Sequence, residues 1–256
     1  MQLTWLDSNS WLIEMGGKNI LLDPWLVGDL SFGNLPWLFL GSKTVQRPVP
    51  SNIDLILLSQ GLPDHAHVPT LEVLDRSIPV VASPNAAKVV QNLGYQNITA
   101  LAPGESYGFA GVTIKAVPGS PVGPTAIENG YILRDGQSSL YYEPHGYHSP
   151  VLATEAAIDV VITPLIDLKL PLLGAVIKGQ ASALALCELL KPKFIVPTAA
   201  GGDVKFDGLL MSILTAEGTV PEFQDLLKSK SLATEAIDPQ PWQRFNLGLT
   251  TSIAQI

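Results

Sequence analysis

The chain of 256 residues carries 15 Lys and Arg against 23 Asp and Glu, a formal net charge of -8. With 46% hydrophobic and only 15% charged residues it can bury a large core, which excludes a disordered chain. The acidic balance argues against unspecific binding to nucleic acid or anionic membranes, and a single cysteine, Cys187, excludes a disulfide framework or a cysteine-rich zinc module.

The opening residues alternate strand and turn. Residues 2–6 and 10–15 are rich in Trp, Leu, Ile and Thr, and Gly16-Gly17 predicts a hairpin turn into 19–22. No basic leader precedes these apolar residues, so the start reads as strands rather than a signal peptide. Asp23-Pro24 ends the last strand, because proline has no N–H for the ladder. Residues 25–50 read as irregular, broken by Gly28, Gly33, Pro36, Gly41, Pro48 and Pro50, yet they carry Trp25, Phe32, Trp37 and Phe39. The run IDLILL at 53–58 lacks the alternation of a half-solvated strand and predicts one buried on both faces.

A short helix at about 69–76, a strand at IPVVA and a helix from Ser83-Pro84 to Gly94 follow. The last has Ser as its cap and Pro in its first turn. Strands with turns fill 97–142. Beyond them AIDVVITP and KPKFIVP read as buried strands and QASALALCELLK as a helix. Residues 220–229 read as a helix opened by Thr219 and Glu222, and 241–255 as strand. The apolar segment at 165–178 is interrupted by Asp167, Lys169 and Pro171, short of the roughly 18 residues a membrane span requires. These features predict a cytoplasmic protein.

Four histidines fall in two clusters at the ends of predicted buried strands: His65 and His67 in DHAH, His145 and His148 in EPHGYH. Strand ends are where rigid scaffolds place their sites. Asp64 and Glu143 add a carboxylate to each cluster. Two imidazoles and one carboxylate with an open position form a catalytic zinc arrangement that equally suits non-haem iron. The alternative is plain surface histidines, with Asp64 as a helix cap. Ser59 and Ser120 lie outside any Gly-x-Ser-x-Gly elbow. Cys187 sits in an apolar helix and reads as core. Gly201-Gly202 lacks the Lys-Ser/Thr of a phosphate loop and reads as a tight turn. The large apolar residues of 25–39 and 165–177 either pack onto the body, line a pocket or meet a partner.

At these residues the chain resembles the metallo-β-lactamase superfamily, in particular its branch of predicted Zn-dependent hydrolases similar to the L-ascorbate-6-phosphate lactonases. LTWLDSNSWLIEMGGKNILLDPWL is similar to the family's opening strands, which end in Asp-Pro. IDLILLSQGLPDHAH lies where the family has a strand followed by His-x-His-x-Asp-His, and SLYYEPH takes the place of the strand ending in Gly-Asp. IDVVITPL and KPKFIVPTAAGG are similar to its last two core strands. The resemblance implies an α+β fold, a four-layer αββα sandwich of two mixed sheets with helices outside, as a single domain over 1–256.

It also implies a reduced metal site. Gln60 and Leu62 stand where the first two histidines belong, no histidine is near Ser120-Pro121 or Thr198-Ala199, and His145 takes the place of the bridging aspartate. Leu62 and Ala199 have no donor atom, so a complete binuclear centre is excluded. The resulting expectation is a divergent hydrolase of an ester, lactone or phosphoester with at most one metal. That metal would be zinc, or else iron or manganese, on Asp64, His65 and His145. Gln60 would orient the substrate or an oxyanion, and Glu143 or His67 would serve as general base. Trp25, Phe32, Trp37 and Phe39 would wall a cleft for a partly apolar substrate.

The competing expectation is a fold that has lost its chemistry: metal-free, catalytically inactive, and binding a small molecule or a partner through the same cleft. A third use of the apolar loops is a homo-oligomer interface.

Overall fold

In the computed structural model, residues 1–122, 126–171 and 174–249 are described. Among them two seven-stranded sheets lie face to face. The first runs Arg244–Asn246, Gln2–Trp5, Trp11–Met15, Lys18–Leu22, Leu55–Leu58, Val80–Ala82, Ile98–Ala100. It is antiparallel as far as Lys18–Leu22 and parallel from there. The second runs Glu235–Ala236, Phe194–Pro197, Val160–Thr163, Ser139–Tyr142, Ala126–Arg134, Val112–Val122, Ser106–Phe109. Its first four strands are parallel and the rest antiparallel.

The period of two along a strand makes the layers. Leu55 and Leu57 point between the sheets, into a core shared with Trp11, Ile13, Tyr131, Leu140 and Ile162. Ile56 and Leu58 point outward and pack on Ala86 and Val90 of the helix Pro84–Asn92. On the far side Tyr141, Val161 and Ile195 meet Leu186 and Cys187 of the helix Gln180–Leu190, and Phe223 and Leu227 of Val220–Ser229. The predicted four-layer α+β sandwich is therefore the observed fold, and its central strands read as unbroken apolar runs because both faces are buried.

Local chemistry sets the boundaries. The hydroxyls of Ser83 and Thr219 accept the N–H groups of Ala86 and Glu222, opening the two predicted helices. Gly16 and Gly17 turn the first hairpin with φ of 59° and 71°, where only a residue without Cβ is unstrained. The helix expected at about 69–76 is Val68–Val73, ended by extended backbone at Leu74. Of the strand expected over 241–255, Arg244–Asn246 is formed; residues 250–255 lie outside the described ones.

Two segments depart from their sequence reading. Residues 25–50 are not wholly irregular: Leu40–Lys43 pairs with Leu30–Ser31 on one side and Val204–Asp207 on the other in a small third sheet. Asp167–Leu170 and Gly174–Ile177 form a hairpin that pairs with Thr215–Glu217. Strands this short, paired across the chain, carry no periodic signal of their own. The loop at Gly201-Gly202 ties the third sheet to the sandwich. A Cβ on Gly202 would lie 2.3 Å from Asp7 Oδ1. Asp7 accepts the Asp203 N–H and forms a 3.1 Å ion pair with the buried Lys43. Among the described residues no helix is long and apolar enough to cross a membrane.

Candidate metal centre

The parallel halves of both sheets end at one edge, the position where such folds hold ligands. Asp23 follows Lys18–Leu22, Ser59 follows Leu55–Leu58, and Glu143 follows Ser139–Tyr142. Glu128 reaches the same edge from Ala126–Arg134, because that strand runs antiparallel to Ser139–Tyr142. The sheets are bonded together here: Asn129 N–H donates to the Ser59 carbonyl, and the Tyr142 hydroxyl donates to Asp23 Oδ2 at 2.7 Å.

His65 and His145 meet edge to face, with ring centroids 5.3 Å apart. One ligand atom each from Asp64, His65 and His145 lie within 4.8 Å of one another. Each imidazole is steered by a fully buried carboxylate on its Nδ1: Asp23 Oδ2 at 2.7 Å from His65, and Glu128 Oε1 at 2.6 Å from His145. That leaves each Nε2 for the site, the second-sphere arrangement that orients metal-binding histidines. His65 Nε2 lies 3.1 Å from Asp64 Oδ2 and 3.4 Å from Asn9 Nδ2.

The electrostatics follow from burial. For His65 desolvation works against the charged form, yet the flanking Asp64 and Asp23 carboxylates hold its pKa well above the usual imidazole value. The same balance, with Glu128 as the partner, raises His145. Burial pushes Asp64 up, but the charge and hydrogen bond of His65 together with the charge of His145 leave it lowered. Burial pushes Glu143 up to about 8, against the pull of His145 and with the charge of Glu128 behind it.

Four carboxylates (Asp23, Asp64, Glu128, Glu143) thus face two imidazoles in a mostly buried cluster, an excess of negative charge. Buried polar atoms without a partner gather in the same residues: Asp64 Oδ1, Glu128 Oε2, Glu143 Oε1 and both amide atoms of Gln60. Native interiors rarely leave such groups unpaired unless something binds there. This donor set fits a divalent cation.

The sequence-predicted residues divide. Gln60, Asp64, His65, Glu143 and His145 lie at this edge. His67 does not serve as a base: its Nε2 donates to the Asp29 carbonyl at 3.1 Å and its Nδ1 accepts the Thr70 hydroxyl at 3.0 Å. It stands at the N-cap position of Val68–Val73, where its ring bonds the Thr70 side chain and pins the 25–29 loop, with burial lowering its pKa. Trp25 walls no cleft. It is fully buried against Phe206, with Lys43 above its ring and its Nε1–H donated to the Gly28 carbonyl. Phe32 and Phe39 stack at 5.2 Å and are half-buried, whereas Trp37 is 64% exposed. Asp23, Glu128, Asn9 and Ser59 were missed as site residues. Asp23-Pro24 reads locally as a strand stop, and Glu128 as an ordinary strand residue.

The sequence profile of the family described as "Beta-lactamase superfamily domain" matches residues 2–199. A UPF0173 metal-dependent hydrolase from Carboxydothermus hydrogenoformans is 25% identical over 252 residues, 93% of this chain and 97% of that protein. An isothiocyanate hydrolase from Delia radicum gut bacteria has a similar structure, with a TM-score of 0.73 and 17% identity over 98% of this chain and 100% of that one. A metallo hydrolase from the archaeon Ignicoccus hospitalis gives 0.67 and 16%, over 96% and 98%. At these identities the likeness in structure is one of fold.

Proposed function

Because the chain belongs to the metallo-β-lactamase superfamily, we propose that it is a metal-dependent hydrolase holding one divalent metal, zinc before iron or manganese, on Asp64, His65 and His145. The observation that carries this reading is the approach of those three ligand atoms to within 4.8 Å, with each imidazole braced by a buried carboxylate. A metal there supplies Lewis-acid polarisation of a carbonyl or phosphoryl oxygen and a lowered pKa for its water.

The protein's own residues supply the rest. Gln60, buried with its Nε2–H₂ unpartnered, donates to the oxyanion that forms as water adds to an ester, lactone or phosphoester. Glu143 is held by the N–H groups of His145 and Tyr147 on Oε2, and its free Oε1 takes up and returns the proton. The exposed Trp37 and the paired Phe32 and Phe39 favour a partly apolar small-molecule substrate.

One feature favours a second reading. His65 Nε2 already faces Asp64 Oδ2, so the cluster also closes as ion pairs without a metal. The fold would then bind a ligand without catalysis. Elemental analysis of tag-free protein purified without chelator, beside His145→Ala, separates the two. About one metal per chain, lost in the variant, supports the hydrolase. Metal-free protein that also refuses added zinc supports the ion-paired cluster.

A further inference from the structure

A groove of about 550 Å³ lies between the helix Gln180–Leu190 and the loop 146–150, a volume typical of small-molecule sites. One helix face lines it, through Ser182, Ala185, Leu186 and Leu189 at i, i+3, i+4 and i+7. The loop is held in place. The Lys178 N–H donates to the His145 carbonyl at 2.9 Å, and the Ser182 hydroxyl donates to the Gly146 carbonyl. Residue 146 must be glycine, since its φ is +76° and a Cβ would lie 1.8 Å from the Lys178 carbonyl oxygen. The groove is preformed.

Beside the hydroxyls of Ser149 and Ser182, its polar side chains are Tyr147, His148 and Lys178. The Tyr141 hydroxyl is fully buried, with its pKa raised, and so remains a donor; it lies 3.2 Å from His148 Nδ1. With that hydroxyl donating to Nδ1, His148 carries its hydrogen on Nε2, and the buried Nε2 has no partner among the described residues. Leaving such a donor unpaired is costly unless an acceptor arrives. The Lys178 ammonium stands 3.8 Å from the Tyr147 ring centroid. Among the described residues no Asp or Glu lines the groove, in a chain whose net charge is -8. A phosphate would waste the apolar helix face, and a neutral lipid would waste the cation.

We propose that this groove binds a small organic carboxylate with an apolar chain. The carboxylate faces Lys178 and, as the His148 ring turns toward the groove, accepts from its Nε2–H; the chain lies along Ala185, Leu186 and Leu189. The lining shares no residue with the candidate metal cluster, so this binding stands or falls independently of the metal.

Sodium octanoate titrated into the protein and followed by calorimetry and by NMR of the Leu186 and Leu189 methyls tests it. Saturable, sub-millimolar binding is expected, with 1-octanol about tenfold weaker because it brings no charge. Lys178→Glu should weaken octanoate about tenfold, and His148→Phe, which keeps a ring but removes the donor, by a similar factor. Ala185→Trp fills the groove from an exposed helix position that leaves the core intact, and should abolish binding. No saturable binding to the wild-type protein overturns the proposal. So does equal affinity for octanol, or octanoate binding unchanged in Lys178→Glu or Ala185→Trp.

Discussion

Asp23→Ala removes the anion on which the candidate site is hung. The fully buried carboxylate accepts four hydrogen bonds: from Ser59 N–H at 2.7 Å, Ser59 Oγ–H at 2.5 Å, His65 Nδ1–H at 2.7 Å and Tyr142 O–H at 2.7 Å. The two hydroxyls rotate and find other acceptors. Ser59 N–H cannot, and it stays buried and unpaired at about 1–3 kcal/mol, while His65 Nδ1–H keeps only the more distant Ser59 hydroxyl at 3.2 Å. The imidazole also loses a buried counter-charge, so the total comes to about 3–5 kcal/mol. For a chain of this size that lowers Tm by about 10 °C. Urea unfolding followed by fluorescence and circular dichroism should show the midpoint falling with an unchanged slope. Asp23→Asn, which keeps the shape and one acceptor oxygen, should cost less than half as much. An Asp23→Ala protein within about 1 kcal/mol of wild type would refute the reasoning, because a carboxylate with four buried donors cannot be removed that cheaply.

Burial lowers His148 from its ordinary 6.5 to about 4, so between those values the unfolded chain binds a proton that the folded one refuses. The His148 contribution is thus undiminished above pH 6.5 and is lost as pH falls toward 4, by up to about 3 kcal/mol at 1.36 kcal/mol per unit. Comparing stability against pH for wild type and His148→Phe isolates this slope, and parallel curves would contradict it. The Cys187 thiol, fully buried and pushed up to about 12, should resist iodoacetamide at pH 8 and react only under unfolding conditions, read by mass spectrometry. Gly146→Ala should destabilise by at least about 2 kcal/mol in urea, since positive φ and a backbone clash coincide there.

The sandwich was legible because its physics is local. Runs such as 55–58 and 160–162 are apolar throughout for the reason that both faces are covered, and Ser83-Pro84 and Thr219 announce their helices by capping chemistry. Half of the candidate site was legible for a related reason: Asp64, His65 and His145 are ionisable residues just past buried strands. The supporting half was not. Glu128 sits inside a strand, and only the pairing of Ala126–Arg134 with Ser139–Tyr142 brings it to His145. Asp23 looked like a stop signal until the second sheet supplied Tyr142. His67 looked available as a general base, but it stands where the chain turns into Val68–Val73, and Thr70 and Asp29 engage both its nitrogens. Trp25 looked like a pocket wall because its cover, Phe206 and Lys43, comes from a sheet that the sequence did not announce.

The most direct test is anomalous diffraction at the zinc edge from crystals grown with added zinc. A single strong peak is expected about 2.0–2.2 Å from an Asp64 carboxylate oxygen and from Nε2 of both His65 and His145. Asp23 and Glu128 should still hold the two Nδ1 atoms. No peak at that position, with His65 Nε2 still bonded to Asp64, would contradict the metal assignment and leave the cluster an ion-paired core.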